Sequence, residues 1–214
     1  MTRHDAANGP TGSILRFLYY PSVSNPASSS YQHGVDVRAG AHSDYGTLTL
    51  LFQRPGQPGL EILNPEDGRS WSPVPVWPDD GGADDDDHDE ASFPPILINI
   101  GDMLSFWTNG LLRSTVHRVV FPAAEQNRPA GHQSQDRYSV VFFCQPVDGC
   151  NLVPPVPSPL VAAAAASKAH VENEKVGFGG GAGSLGEHKS LTAKEYLDMR
   201  LLATYGHREE VTSA

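Results

Sequence analysis

The sequence predicts an all-β core, arranged as an antiparallel sandwich, a barrel or a jelly roll, and three observations lead to this fold class. The 214 residues include 21 glycines and 18 prolines, which is typical of a protein with many turns. Short apolar runs recur between residues 14 and 144, and turn signals such as Arg54–Gly56 and Asn127–Pro129 separate them. No helical stretch is apparent between the runs, so we expect neighbouring strands to pair antiparallel.

Eight strands follow from these runs, because leucine, β-branched and aromatic residues dominate them. Several runs alternate in polarity, as expected of strands that turn one face toward a core. In chain order the predicted strands are Ile14–Tyr20 (ILRFLYY), Gly46–Phe52 (GTLTLLF), Leu60–Leu63 (LEIL), Ser72–Val76 (SPVPV), Ile96–Ile100 (ILINI), Met103–Phe106 (MLSF), Val116–Phe121 (VHRVVF) and Tyr138–Cys144 (YSVVFFC).

The chain is predicted to form one domain over residues 14–150, with a flexible segment before it (1–13) and an extension after it (151–214). Within the extension, the alanine-rich Val161–Asn173 favours a helix, and Gly177–Gly186 is a glycine-rich loop.

The best-marked helix begins at a capping box, formed by Thr192 and Glu195, and its apolar positions continue to Tyr205. Gly206 is a suitable residue to end it. We expect this closing helix to pack on the outside of the sheet.

The distribution of charge along the chain argues against a nucleic-acid partner. The formal charge is −10, but the window Asp79–Glu90 holds eight acidic residues and no basic ones, so the rest of the chain nets only −2. We read this window as a solvated insert. No basic stripe remains to neutralise phosphates, which argues against a nucleic-acid partner.

The cellular location and the oligomeric state are predicted from the absence of membrane, secretion and disulfide signals in this sequence. No apolar run approaches the roughly 20 residues of a membrane span, and the start of the chain has no apolar signal region. The two cysteines, Cys144 and Cys150, are too few for a disulfide framework. We therefore expect a cytoplasmic monomer that does not contact membranes.

The first candidate site residues are His42 and Asp44. Residues two apart on or beside a strand project to the same side, and an imidazole with a carboxylate suits a first-row divalent metal. The spacing alone is weak, because His170–Glu172 and His207–Glu209 resemble it. Those pairs lie in the tail, without further candidate ligands in a strand context.

A second imidazole strengthens the first pair. His117 follows Asp44 by 73 residues and lies within the predicted strand Val116–Phe121. Two histidines and one carboxylate on one side of an ion form the facial triad associated with non-haem Fe(II) oxygenases. Taken alone, His117 would equally suit a core histidine bonded to a backbone carbonyl.

Arg137 and Ser139 open the last apolar strand and are also two apart. A guanidinium beside a hydroxyl is a suitable clamp for a carboxylate. The alternative is an arginine at a strand edge in solvent. The same period of two places Phe143 and Gln145 on the inner face beyond the clamp.

These motifs together resemble a known family. The order of His42-x-Asp44, the segment Ile100–Val120 (IGDMLSFWTNGLLRSTVHRVV) and Arg137-x-Ser139 resembles the catalytic core of the Fe(II)/2-oxoglutarate-dependent dioxygenases of the isopenicillin N synthase-like group. The resemblance covers roughly residues 14 to 148, and the closing helix looks like that of the family. It implies a double-stranded β-helix, that is, a jelly roll.

The resemblance also implies roles for single residues. Fe(II) would be bound by His42, Asp44 and His117. The co-substrate 2-oxoglutarate would be held by Arg137, Ser139 and Tyr20.

Three features depart from the family pattern. Many plant members carry asparagine two residues before the tyrosine, where this chain has Leu18. The spacing between motifs is widened by the acidic insert and by Glu125–Asp136, which surface loops tolerate. Full-length members also carry a long N-terminal region before the core.

The function implied by the resemblance is oxidation of a small organic substrate, by hydroxylation, desaturation or cyclisation, with O2 consumed and 2-oxoglutarate converted to succinate and CO2. The cavity that binds the substrate would be lined by Phe143, Gln145, Leu51 and Trp107. The alternatives are a truncated, non-catalytic metal-binding or interaction module, an Fe(II) oxidase that does not use 2-oxoglutarate, and a cupin-like protein with a different metal.

Overall fold

The structure is a computed structural model that describes residues 3–22, 37–77, 94–122, 135–152, 156–166 and 191–205. Its strands are β1 Ile14–Tyr20, β2 Val37–His42, β3 Leu48–Gln53, β4 Leu60–Leu63, β5 Trp71–Pro73, β6 Leu97–Ile100, β7 His117–Val120 and β8 Arg137–Cys144. A 3-10 turn spans Ala6–Asn8, and the α-helices are α1 Asp102–Trp107, α2 Pro159–Ala166 and α3 Ala193–Tyr205.

The strands form two antiparallel sheets of four strands each. The first, here the β8 sheet, has the order β1-β8-β3-β6, and the second, the β7 sheet, has the order β2-β7-β4-β5. A core cluster joins their inner faces through Leu51 and Val141 of the β8 sheet and Leu60 and Val119 of the β7 sheet. The predicted all-β, jelly-roll core is therefore confirmed.

The position of β8 decides what faces the space between the sheets. It pairs with β1 on one side and β3 on the other, so that Arg137 lies opposite Tyr20 and Ser139 lies opposite Leu18. Burial alternates along the strand, with Arg137 and Ser139 buried and Tyr138 exposed. The two polar residues therefore point inward with the apolar core.

One predicted strand is wrong. Met103–Phe106 belongs to helix α1, which begins after Gly101. The backbone N–H groups of Asp102 and Met103 donate to the carbonyls of Asp44 and Gly46, at 2.8 and 3.0 Å, and so satisfy the start of the helix. Met103 and Trp107 are both buried and four residues apart, which is the spacing of one helix face.

One observed strand, β2, was not predicted. Its sequence, VRAGAH, contains few residues with a strong strand preference. Its pairing with β7 is also irregular, with two shifts of register between Val37 and His42. Pairing across the sheet, rather than local propensity, makes this segment a strand.

A second core lies outside the sheets and carries the closing helix. Met103 and Trp107 of α1 pack there with Leu152 and with Ala193 and Tyr196 of α3. Helix α3 therefore packs outside the β core, as predicted. Among the described helices, none is long and apolar enough to cross a membrane.

The capping box at the start of α3 is present. The Thr192 N–H donates to Glu195 Oε2 at 2.8 Å, and the Glu195 N–H donates to Thr192 Oγ1 at 3.3 Å. The sequence signature therefore located the start of this helix to within one residue.

The first residues of the chain contact the core. The Val147 N–H donates to the Arg3 carbonyl at 2.7 Å, the Asp148 N–H donates to the Pro10 carbonyl at 2.8 Å, and Thr11 forms an isolated β-bridge with Val147. The flexibility predicted for residues 1–13 stays a prediction.

Several other predictions fall outside the described residues. They concern the acidic insert 79–90, the glycine-rich loop 177–186, the end of the alanine-rich segment after residue 166, and the two tail pairs 170–172 and 207–209.

The outer face of the β8 sheet is apolar and exposed. Phe17 is 78% exposed, and Leu15, Tyr19, Ile98 and Tyr138 are exposed as well. The Tyr19 and Tyr138 rings stack across β1 and β8, with centroids 5.0 Å apart. Among the described strands, the exposed large hydrophobic residues all belong to the β8 sheet.

Candidate active site

The structure brings His42, Asp44 and His117 together at one end of the β7 sheet. His42 ends β2 and His117 begins β7, and the two residues are paired in register. Asp44 Oδ1 lies 3.8 Å from His42 Nε2 and 3.7 Å from His117 Nε2. Because protein ligands lie about 2.0–2.2 Å from a first-row ion, atoms at these separations can share one ion.

The backbone orients both imidazole rings. His42 Nδ1–H donates to the Gly40 carbonyl at 2.7 Å, and His117 Nδ1–H donates to the Thr115 carbonyl at 3.0 Å. These hydrogen bonds fix the proton on Nδ1 and leave the Nε2 lone pair available to a metal. His117 thus fits both interpretations of the sequence: its ring is hydrogen-bonded to a backbone carbonyl, and its second nitrogen is available as a metal ligand.

Two hydrogen bonds orient the carboxylate. Asp44 is buried, and its Oδ2 accepts from Thr49 Oγ1 at 2.7 Å and from Asn99 Nδ2 at 2.8 Å. The other oxygen, Oδ1, is the one that faces the histidines. Sequence reasoning missed Thr49 and Asn99. The available signal was a single amide, Asn99, within the apolar strand ILINI.

The loop that carries Asp44 is held against helix α1. Ser43 Oγ donates to Asp102 Oδ2 at 3.1 Å, and the same oxygen accepts from Tyr196 Oη and pairs with Arg200 Nη1, both at 3.3 Å. Burial raises the pKa of Asp102, although Arg200 and the donated hydrogen bonds oppose this shift. The Asp102 carboxylate therefore links Ser43, which lies between His42 and Asp44, to helix α3.

Glycine is required where this loop meets α1. A Cβ atom on Gly101 would collide with the Gly46 carbonyl, and a Cβ atom on Gly46 would lie 2.5 Å from the Cys144 carbonyl oxygen. The backbone segments can approach this closely only without side chains.

Arg137 is buried, and no described residue provides it with a counter-ion. It is 2% exposed, and its Nε has no hydrogen-bond partner among the described residues. Ser139 Oγ, on the same inner face, is likewise buried without a partner in the described part of the chain. Arg137 is therefore not the solvent-exposed strand-edge arginine of the alternative interpretation. Two orphaned donors side by side are suited to a carboxylate ligand.

Tyr20 completes this group from the neighbouring strand. It lies opposite Arg137 in register, and the Arg137 guanidinium carbon lies 5.5 Å from the centre of its ring. Burial raises the pKa of the Tyr20 hydroxyl, and Arg137 opposes the shift. Burial also lowers the pKa of Arg137. Leu18, at the position where many plant members carry asparagine, packs against the apolar cluster between the sheets.

One cavity of about 390 Å³ contains both groups. It lies between the sheets, and the metal triad, Arg137, Ser139 and Tyr20 all line it. Leu51 and Phe143, which were predicted to contact the substrate, line the same cavity. Its volume is within the range of small-molecule sites.

Two residues predicted to contact the substrate do not line this cavity. Trp107 is the last residue of helix α1 and is buried in the second core, outside the cavity. Gln145 lies just beyond the end of β8, and its side chain packs beside Gly12 and Gly46. The alternation of β8 therefore predicts inward-facing residues only as far as the strand itself extends.

The arrangement combines an open ligand set with an anion clamp. Two imidazole nitrogens and one carboxylate oxygen lie close enough together to bind one ion, and such a ligand set would leave further positions of that ion open. The donor set suits a divalent first-row metal such as Fe(II), and the orphaned donors of Arg137 and Ser139 suit a carboxylate within the same space.

Comparison with known proteins agrees with this geometry. The model of the 2OG-Fe(II) oxygenase superfamily matches residues 11–146. The 2-oxoglutarate-dependent dioxygenase htyE of Aspergillus rugulosus is 34% identical over 194 residues, which are 91% of this chain and 46% of that protein. The proline hydroxylase buaE of Petromyces alliaceus is 36% identical over 63% of this chain and 35% of that protein.

Solved structures give the same result. A full-length Neurospora crassa protein, solved in complex with alpha-KG and thymine, matches with a TM-score of 0.60 and 27% identity, over 90% of this chain and 44% of that chain. A 2OG-Fe(II) oxygenase family protein of Caulobacter crescentus matches with a TM-score of 0.53 and 30% identity, over 91% and 46% of the two chains. The chain spans less than half the length of these relatives. From its motifs, its fold and these similarities, it belongs to the 2OG-Fe(II) oxygenase superfamily.

Proposed function

We propose that this chain is an Fe(II)- and 2-oxoglutarate-dependent oxygenase that oxidises a small organic substrate. One observation carries the proposal: an open His-Asp-His triad shares one cavity with a buried arginine whose Nε has no acceptor among the described residues. When bound, Fe(II) and 2-oxoglutarate supply the oxidative chemistry, in which O2 is consumed and succinate and CO2 are released.

The triad residues His42, Asp44 and His117 would bind the metal. His42 and His117 contribute Nε2, because their Nδ1 atoms are engaged with backbone carbonyls. Asp44 contributes Oδ1, because Thr49 and Asn99 occupy Oδ2. All three ligands are thus oriented before the metal arrives, which reduces the cost of binding it.

The clamp residues hold the far carboxylate of 2-oxoglutarate. Arg137 supplies a planar set of donors, Ser139 supplies a hydroxyl, and Tyr20 supplies a second hydroxyl from β1. A guanidinium removed from water interacts more strongly with an anion than an exposed one does. Apolar residues such as Leu51 and Phe143 then exclude water from the reacting groups.

The proposal extends to the reaction type, the substrate, the subfamily and the location. Hydroxylation is the reaction type we favour, because a hydroxylase is among the relatives. Thymine in a related structure supports a small-molecule substrate. The motif order favours the isopenicillin N synthase-like group. Two free cysteines, Cys144 and Cys150, support a reducing, cytoplasmic location. We further propose that the protein is a monomer.

The test is to add Fe(II) and then 2-oxoglutarate to the protein without oxygen, and to record the visible charge-transfer band of the chelated co-substrate. We expect a band in the wild-type protein, no band in His117→Ala and a much weaker affinity for 2-oxoglutarate in Arg137→Lys, since an ammonium cannot form the paired hydrogen bonds.

The other outcomes separate the alternatives. Fe(II) binding without any band would favour an oxidase that does not use 2-oxoglutarate. If neither ligand binds, the chain is a non-catalytic module, and the proposal is wrong.

A further inference from the structure

Arg113 is a cation in the cavity that neither the metal triad nor the carboxylate clamp uses. It lies between α1 and β7, four residues before His117, and lines the cavity with an exposed side chain. Within the described part of the chain, no hydrogen bond or ion pair engages its guanidinium. By contrast, the guanidinium of Arg118 on β7 pairs with Glu61 at 2.8 Å.

The charges that line the cavity leave Arg113 unbalanced. Among the lining residues that the structure describes, Asp44 is the only carboxylate, and Arg113 and Arg137 are the only arginines. With Fe(II) and 2-oxoglutarate bound, the metal dication, the Asp44 carboxylate, the 2-oxoglutarate dianion and the Arg137 guanidinium sum to zero. Among the described lining residues and the two bound groups, the one charge left without a counter-charge is therefore that of Arg113.

The remaining cavity wall is predominantly apolar. Aliphatic and aromatic side chains from both sheets line it, among them Ile62, Val74, Leu97, Val119 and Phe143. Such a wall binds the apolar body of a ligand by removing its surface from water. A ligand that is complementary to the whole cavity thus combines an apolar body with one negative charge.

We infer that Arg113 is a specificity-determining residue that binds the carboxylate of the primary substrate, which is a small organic acid with an otherwise apolar body. The inference rests on the proposed function. It assigns the apolar body to the interior of the cavity, near the triad, and the acid group to Arg113.

Arg113 is close in the chain to the triad. It is four positions before His117, so their Cα atoms are at most about 14 Å apart. An arginine at an exposed site is usually only a solvated side chain. Arg113 differs from that case because it lines a predominantly apolar cavity, in which Asp44 is the only carboxylate among the described lining residues.

The experiment compares acids with their uncharged amides. Wild-type protein is loaded with Fe(II) and saturating 2-oxoglutarate without oxygen, and octanoate, octanamide, 3-phenylpropanoate and 3-phenylpropanamide are titrated by calorimetry. The charge-transfer band of 2-oxoglutarate is recorded throughout, so that an acid that merely displaces 2-oxoglutarate from Arg137 is recognised.

We expect wild-type protein to bind at least one acid about tenfold more tightly than its amide, which is typical of a hydrogen bond to a charged group. Arg113→Gln should abolish the preference, and Arg113→Lys should keep part of it. Arg54→Gln, which removes an exposed arginine outside the cavity, is the matched control and should keep all of it.

Three results would overturn the inference. They are the absence of any preference for acids in the wild-type protein, a preference that persists in Arg113→Gln, and a loss of 2-oxoglutarate binding in Arg113→Gln, which would assign the residue to the co-substrate. The first two leave the charge-transfer band intact, so they contradict this inference without contradicting the proposed function.

Discussion

His42 and His117 are paired across strands β2 and β7, and their rings make the same contact with the backbone. Each Nδ1–H donates to the carbonyl two residues earlier, and the ring centroids lie 4.4 Å apart. Both Nε2 atoms consequently face the same oxygen of Asp44. Strand pairing, rather than a local motif, sets the distance between the two imidazoles.

Removing any one ligand should abolish Fe(II) binding and leave the fold intact. The His42 side chain is 45% exposed, so His42→Ala should change the free energy of unfolding by less than about 1 kcal/mol. Fe(II) retained after gel filtration, together with urea unfolding, measures both effects. His4→Ala, which removes a histidine outside the triad, is the control and should bind Fe(II) normally. Full Fe(II) affinity in His42→Ala, Asp44→Ala and His117→Ala would contradict the assignment.

The hydrogen bonds to Asp44 Oδ2 should tune metal affinity without supplying a ligand. Thr49→Val and Asn99→Leu each remove one donor, and we expect each to weaken Fe(II) binding about tenfold. Thr49→Ser keeps the hydroxyl and should retain most of the affinity. Competition with a chelator measures the change. Equal affinities in Thr49→Val and the wild-type protein would show that Asp44 needs no such support.

Arg137 should have opposite effects on stability and on co-substrate binding. Its guanidinium is buried with no counter-ion among the described residues, and burial lowers its pKa, so Arg137→Met removes a costly buried charge. We expect the free energy of unfolding without ligands to stay equal or to rise, whereas 2-oxoglutarate should no longer raise the melting temperature. Thermal melts with and without 2-oxoglutarate measure both. Marked destabilisation of Arg137→Met would mean that Arg137 already has an acceptor in the fold.

Asp102 should make stability depend on pH in the acidic range. Burial raises its pKa above the ordinary value of 3.8, so the folded protein binds a proton there at a pH at which the unfolded chain does not. The cost of the buried charge is fully present above the raised pKa and is relieved as pH falls toward 3.8. The stability of Asp102→Asn relative to wild type should therefore fall with decreasing pH. Urea unfolding over this range measures the difference, and a constant difference would exclude the effect.

Trp107 should matter to stability and not to ligand binding. It is buried in the second core with Met103 and Tyr196, so Trp107→Ala should lower the free energy of unfolding by about 3–5 kcal/mol. At temperatures where this variant is folded, its affinity for 2-oxoglutarate should equal that of the wild type. Leu51→Ala, which alters the cavity wall, is the comparison for an effect on small-molecule binding.

The sequence predicted the parts of the fold that are encoded locally. Apolar alternation located β1 and β4 at their observed bounds, and the capping box located α3. Met103–Phe106 was wrong because a short run of apolar residues suits either a strand or one helix face. Strand β2 was missed because its residues favour no strand, and only its partner β7 makes it one.

The same distinction applies to the site. The spacing of two pointed to His42 with Asp44 and to Arg137 with Ser139, and strand context and motif order added His117, which is 73 residues after Asp44. The supporting donors were not found, because Asn99 is 55 residues from Asp44 and no spacing rule connects them. Gln145 lies one residue past the end of β8 and outside the described lining of this cavity, because the alternation was extended beyond the strand.

The exposed outer face of the β8 sheet has a consequence for how this protein behaves as a colloid. Phe17 and its neighbours attract one another between molecules, whereas the net charge of −10 keeps molecules apart. Salt at 0.1 M screens the repulsion between net charges beyond about 10 Å, but salt does not screen the attraction between apolar surfaces. Added salt should therefore turn a clear solution turbid, and the salt concentration at which this occurs should rise in Phe17→Lys.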